Sequence, residues 1–104
     1  MKEYGKAILE EIGEPAVLEQ LAEECCELGQ AALKLARIYR YENPTPVSID
    51  DARKHVMEEF MDIDVCLGVL LQGTEWIDLV AMTDLAEKKL DRWIDRLELR
   101  EEEE

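Results

Sequence analysis

The segments LAEECCELGQAAL (21–33) and VMEEFMDIDVCLG (56–68) decide how this chain is organised. Aligned residue by residue, both carry two adjacent acids, two other residues and then a third acid. A Pro-rich stretch at 43–46 lies between them and predicts a turn. An antiparallel helical hairpin would bring the two acidic copies face to face. The acids concerned are Glu23, Glu24 and Glu27 in the first copy and Glu58, Glu59 and Asp62 in the second.

The first two helices are predicted from glycine and proline positions and from the spacing of apolar residues by three and four. The first helix is expected over about 2–12 and should end at Gly13. Pro15 suits the first turn of the second helix, which should run to about Tyr41.

The third and fourth helices are predicted in the same way. Ser48 and Asp51 form a capping box in which Asp takes the usual place of Glu, so the third helix should begin near Ile49 and end at Gly73. Thr74 is expected to cap the fourth helix. The apolar row of that helix and the two tryptophans are interpreted as core or interface residues.

Length and composition predict a single all-α, four-helix, bundle-like domain over 1–100, followed by an acidic tail over 101–104. The chain has only 104 residues, yet 47% of them are hydrophobic. A monomer of this size leaves much apolar surface in contact with water, so dimerisation is expected to complete the bundle.

The charge balance argues against polymeric anions as partners. With 26 acidic and 12 basic residues the net charge is −14, which repels nucleic acid and anionic membranes. No stretch has the length of a signal peptide or a membrane span, so a cytoplasmic location is expected. The three cysteines lack zinc-site spacing and are interpreted as reduced packing residues.

Some of the acids fall where a helix should be apolar. Glu24 continues an apolar row on the second helix, Glu59 continues one on the third, and Asp62 lies one turn further on. An inward carboxylate is costly unless it is paired, protonated or bound to metal. An all-carboxylate set favours a hard cation such as Mg²⁺ over zinc. The alternative is that these acids lie at the edge of an amphipathic stripe and point into water.

The chain resembles the MazG-like all-alpha nucleoside triphosphate pyrophosphohydrolases at the six acids of the two segments, Glu23, Glu24, Glu27, Glu58, Glu59 and Asp62. The resemblance covers the two central helices, about half of the chain, and extends to the small and apolar residues around the acids. It implies an enzyme that hydrolyses a nucleoside or deoxynucleoside triphosphate between the α and β phosphates. It also implies Mg²⁺, or Mn²⁺ in its place, held by Glu24, Glu27, Glu59 and Asp62. Glu23 and Glu58 would be supporting acids, and the catalytic acids would be Glu23, Glu24, Glu27 and Glu58.

The resemblance further implies basic residues from the following helix that contact the phosphates, here Lys88, Lys89 and Arg92. Acids interleave with these bases, as on any solvated helical face, and the stretch lacks the family's usual asparagine. The family is typically dimeric or higher, so a homodimer or homotetramer is expected.

Two other functions stay open from the sequence. The first is the phosphoribosyl-ATP pyrophosphohydrolase branch of the same superfamily, although residues 63–66 lack that branch's aromatic and histidine continuation. The second is a non-catalytic helical module that binds nucleotides or proteins.

Overall fold

The computed structural model of the chain describes residues 4–42 and 47–100. These residues form four α-helices and no strand, which confirms the all-α prediction. No helix in this part of the chain is long and apolar enough to cross a membrane. The helices are α1 (Gly5–Ile12), α2 (Glu14–Tyr39), α3 (Ile49–Gly73) and α4 (Leu79–Arg96).

The chain divides into two compact units, Met1–Thr74 and Glu75–Glu104. The first contains α1, α2 and α3, and the second contains α4. The turn predicted at 43–46 and the acidic tail predicted at 101–104 lie outside the described residues.

The first unit is a three-helix packing centred on α3. Its most extensive contact is with α2, and α1 packs against both. Gly13 alone separates α1 from α2, and its φ of 89° is a value that favours glycine. Pro15 lies in the first turn of α2, as predicted. Helix α1 begins at Gly5 with Tyr4 as N-cap, later than expected.

The ends of α2 and α3 that face the 43–46 stretch are fixed by local contacts. Helix α2 ends two residues before the predicted Tyr41, whose φ of 57° is left-handed and incompatible with a continuing helix. The Ser48 hydroxyl accepts a hydrogen bond from the Asp51 N–H at 3.1 Å, as predicted. Arg53 of α3 donates from Nε to the Tyr39 hydroxyl at 2.7 Å and lies 5.4 Å from the ring centroid.

The prediction that Thr74 caps the fourth helix is wrong. The Thr74 hydroxyl donates to the Leu70 carbonyl at 2.6 Å, so this residue ends α3. The N-cap of α4 is Asp78, whose carboxylate accepts from the Val80 N–H at 2.9 Å. A threonine after a helix can satisfy a terminal carbonyl as readily as it can satisfy the first amides of the next helix.

The buried apolar residues belong to the first unit. Cys66 is among them, in agreement with a packing role, whereas Cys25 and Cys26 are exposed and do not pack in the core. Helix α4 has no buried residue, and Trp76 and Trp93 are both exposed, so the prediction that they lie in the core is wrong for the single chain. The core consists of Leu9, Val17, Ala31, Ala52, Cys66, Val69 and Leu70.

Candidate metal centre

Two carboxylates lie on the inner faces of the helical hairpin. Glu59 is only 8% exposed and lies between the buried residues Ala52 and Cys66 along α3. Glu24 is half-buried and follows the buried Val17 along α2. Both acids follow their apolar neighbours at the spacing of a helical row. Their side chains therefore point the same way as those neighbours.

The hairpin brings acids of both helices together. One carboxylate oxygen from each of Glu24, Glu27, Glu59 and Asp62 lies within 4.8 Å of the others. Glu59 is buried, Glu24 is half-buried, and Glu27 and Asp62 are exposed. We call these four residues the carboxylate cluster. It therefore has a buried side and a side open to solvent.

Within the described residues, two oxygens of the cluster are buried without a hydrogen-bond partner, Oε2 of Glu24 and Oε2 of Glu59. The other oxygen of each carboxylate is held. Gln20 donates from Nε2 to Oε1 of Glu24 at 2.6 Å, and Nε2 of His55 lies 3.1 Å from Oε1 of Glu59. In the tautomer with a proton on Nε2, His55 donates to this carboxylate oxygen. The carboxylates of Glu24 and Glu59 are thus each oriented through one oxygen while the other lacks a donor, an arrangement that a cation would stabilise.

The shifted pKa values reflect crowding of negative charge. The Gln20 donor lowers the pKa of Glu24, but burial and the charges of Glu27 and Asp62 together outweigh it, so that pKa lies above its ordinary value. Burial, followed by the charges of Glu24 and Asp62, raises the pKa of the Cys66 thiol. A raised pKa favours the thiol form of Cys66, in keeping with its position in the core.

The donor set fits a hard divalent cation. Opposite ligands around octahedral Mg²⁺ lie about 4.2 Å apart, because each lies about 2.1 Å from the ion. Adjacent ligands lie about 3.0 Å apart, so four oxygens within 4.8 Å of one another would have to move closer together to share one ion. Glu24, Glu27, Glu59 and Asp62 can supply carboxylate ligands to Mg²⁺, or to Mn²⁺, which takes similar oxygen ligands.

The remaining predicted residues lie outside this group of four. Glu23 and Glu58 are exposed neighbours of Glu24 and Glu59, and about 100° of helical rotation directs each away from its neighbour. Lys88, Lys89 and Arg92 are exposed on α4, in the second unit.

Neither Gln20 nor His55 is among the site residues predicted from the sequence. Each precedes an inward carboxylate by four positions, and they correspond to each other in the alignment of the two acidic segments. The repeat therefore extends one turn beyond the acids, from Gln20 to Glu27 and from His55 to Asp62. A donor four residues before an inward acid was the signal available in the sequence.

Comparisons of the chain with protein-family models, with curated proteins and with solved structures find no match.

Proposed function

We propose that the chain is a magnesium-dependent nucleoside triphosphate pyrophosphohydrolase. The observation that carries this proposal is the convergence of four carboxylates from two helices, two of which keep a buried oxygen without a donor. Acids that only face solvent have no reason to converge or to bury an oxygen without a donor. A cation that also binds phosphates requires converging carboxylate ligands. The resemblance of the two acidic motifs to the MazG-like family supports the choice of reaction.

The proposed reaction is hydrolysis between the α and β phosphates. A water oxygen bonds to the α phosphorus, and the bond from that phosphorus to the bridging oxygen breaks. The electron pair leaves with pyrophosphate, and the proton of the water passes to a carboxylate of the cluster or to solvent. Magnesium bound by the cluster would neutralise phosphate oxygens and lower the pKa of a coordinated water.

The protein's contribution is to hold the carboxylates in place. Hydrogen bonds from Gln20 and His55 fix one oxygen each of Glu24 and Glu59, which limits rotation of these side chains. Exposed Glu23 and Glu58 add negative charge beside the cluster and are proposed as supporting acids. By resemblance to the family, Lys88, Lys89 and Arg92 are proposed contacts of the nucleotide, and the cytoplasm is its proposed location.

We also propose that the active form is a homodimer formed through the face of α3 opposite the carboxylate cluster. Helical periodicity puts Met57, Phe60 and Met61 on the side away from Glu59, and all three are more than half exposed. An apolar face of this kind can pack against the same face of a second copy related by a two-fold axis.

A pyrophosphate-release assay over the standard ribo- and deoxyribonucleoside triphosphates, with and without magnesium, tests the function. We expect release that requires magnesium and produces one nucleoside monophosphate per pyrophosphate. The Glu59→Gln variant, purified in parallel, should be inactive, which excludes a contaminating enzyme. Absence of magnesium-dependent turnover on every triphosphate would refute the proposal.

A further inference from the structure

A cavity of about 370 Å³ adjoins the carboxylate cluster. It lies between α2 and α3 on the side of the cluster nearer the end of α2 and the start of α3. Its volume falls within the range of small-molecule sites, about 300 to 1,000 Å³. It is lined by Glu27, Gln30, Ala31 and Lys34 of α2 and by His55 and Glu59 of α3.

The cavity is acidic at one end and carries hydrogen-bond donors further along α2. Glu27 and Glu59 belong to both the cavity wall and the carboxylate cluster. Glu59 is 8% exposed, and its Oε2 has no donor among the described residues. Gln30 and Lys34 follow Glu27 by about one and two helical turns and contribute an amide and an ammonium group.

Lys34 is half-buried, and no described carboxylate lies within ion-pair distance of it. Most described lysines and arginines likewise have no ion-pair partner, and Lys34 differs in lining a cavity that it shares with Glu27 and Glu59. It matches a ligand that is itself anionic and that reaches the cluster through a cation.

We propose that this cavity binds the pyrophosphate group, that is, the β and γ phosphates of the substrate and afterwards the pyrophosphate product. Lys34 and Gln30 donate to its oxygens while magnesium at Glu27 and Glu59 offsets its charge. The polyphosphate then extends from the cluster along α2 towards Lys34. The inference rests on the proposed function for the identity of the ligand.

The order of binding follows from the charges. Without magnesium, Glu27 and Glu59 repel an anion in the cavity, so pyrophosphate should bind only to the magnesium-loaded protein. Because substrate and product share the cavity, pyrophosphate should inhibit hydrolysis competitively.

Calorimetric titration of the full chain with inorganic pyrophosphate, with and without millimolar magnesium, tests the inference. The wild type should bind only with magnesium. Lys34→Gln should weaken that binding by about tenfold or more, the usual cost of losing one charge-assisted hydrogen bond, and Lys34→Arg should restore part of it. Lys6→Gln on α1 is the control, because it removes the same charge outside the cavity. Circular dichroism and the magnesium-induced melting shift establish that each variant is folded.

Hydrolysis by the same variants separates this inference from the proposed function. A Lys34→Gln enzyme with wild-type KM and wild-type pyrophosphate inhibition would overturn the cavity assignment while the function stood. Equal weakening by Lys34→Gln and Lys6→Gln would overturn it as well, because net charge alone would then explain binding. Pyrophosphate binding that depends on Lys34 in a protein without turnover would support the cavity and refute the enzyme.

Discussion

Nε2 of His55 lies 3.1 Å from Oε1 of Glu59, one helical turn further along α3. The same relationship recurs on α2, where Gln20 donates to Glu24 across four residues. An amide and an imidazole thus perform one task at equivalent positions of the repeat, which is to hold one oxygen of an inward carboxylate. This equivalence provides a conservative substitution for testing the role of His55.

His55→Ala should weaken magnesium binding by about 10- to 100-fold, the usual cost of removing a group that orients a metal ligand. His55→Gln should retain most of the affinity, because Gln20 shows that a glutamine can span this spacing. Magnesium titration followed by calorimetry measures both variants. Equal affinities in wild type and His55→Ala would show that this hydrogen bond does not serve the metal.

Glu59→Gln and Glu24→Gln should each abolish hydrolysis and leave the helical fold intact. Glutamine keeps an acceptor for His55 or Gln20 but removes a charged ligand. Loss of mutual repulsion should also raise the melting temperature of the metal-free protein. Glu19→Gln, an exposed change on α2, is the control and should alter neither property. Near-normal turnover in both cluster variants would contradict the assignment.

Magnesium should stabilise the protein beyond any general effect of salt. A ligand present at one hundred times its Kd contributes about 2.7 kcal/mol, and each kcal/mol raises Tm by roughly 4–8 °C for a domain of this size. Sodium chloride at matched ionic strength also screens the net charge of −14 and provides the control. The difference between the two salts should vanish in the Glu27→Gln, Asp62→Asn double variant. Equal shifts in the wild type would indicate a solvated acidic face.

The raised pKa of Glu24 makes the stability of the metal-free protein depend on pH. As pH rises from the ordinary Glu range, about 4.3, the unfolded chain loses this proton before the folded chain does, so this group lowers the free energy of unfolding. The loss is complete once pH exceeds the folded pKa. Glu24→Gln should therefore gain stability over wild type with increasing pH and gain little below that range. Denaturant melts across this interval measure the difference, which Glu19→Gln should not reproduce.

Two glycines should respond to alanine with opposite signs. The Gly5 N–H donates to Oε1 of Gln72 at 2.6 Å, and a Cβ at Gly5 would lie 2.7 Å from Cβ of Gln72 and 3.0 Å from Cα of Val69. Gly5→Ala should therefore cost about 1–3 kcal/mol through overpacking. A Cβ at Gly29 meets no atom within 4 Å, so Gly29→Ala should stabilise α2 by up to about 1 kcal/mol. Urea denaturation distinguishes these outcomes, and stabilisation by both changes would contradict the packing of α1 on α3.

The proposed dimer predicts that a charge on the apolar face of α3 separates the subunits. Phe60 is 52% exposed on that face, and Phe60→Glu should give a 12.0 kDa species by light scattering while the wild type gives twice that mass or more. Leu33→Glu introduces the same charge at an exposed apolar site on α2 and should leave the assembly intact. A wild-type monomer at micromolar concentration would refute the proposal.

Local signals in the sequence predicted the hairpin well. The Ser48 cap and the end of α1 at Gly13 follow from contacts among neighbouring residues, and α3 ends at Gly73 as predicted, although its C-cap is Thr74. The register of α2 against α3 was harder, because it depends on where α2 ends. Ending at Tyr39 leaves about 18 Å of helix after Glu27 against about 15 Å before Glu59, which brings the two acids to similar levels.

Other features depended on choices that a single sequence does not resolve. Thr74 and Asp78 are both residue types that commonly cap the start of a helix. The hydrogen bond from Thr74 to the Leu70 carbonyl shows that Thr74 instead ends α3, and Asp78 caps α4. The inward positions of Glu24 and Glu59 were predictable from periodicity. Their unpartnered oxygens were not, because hydrogen-bond satisfaction depends on side-chain rotamers as well as on spacing.

The metal site draws on only two helices, which are consecutive in the chain. All four acids lie between Glu24 and Asp62, on consecutive helices, so the cluster is complete once α2 and α3 pair. Pairing of α2 with α3 closes a smaller loop than the contact of Gly5 with Gln72, which are 67 residues apart, so we expect it to precede the packing of α1. A ligand that binds a structure already present in the transition state speeds folding more than it slows unfolding. Magnesium would then assist the chain during its assembly, before α1 has packed, and would shape its folding kinetics as well as its chemistry.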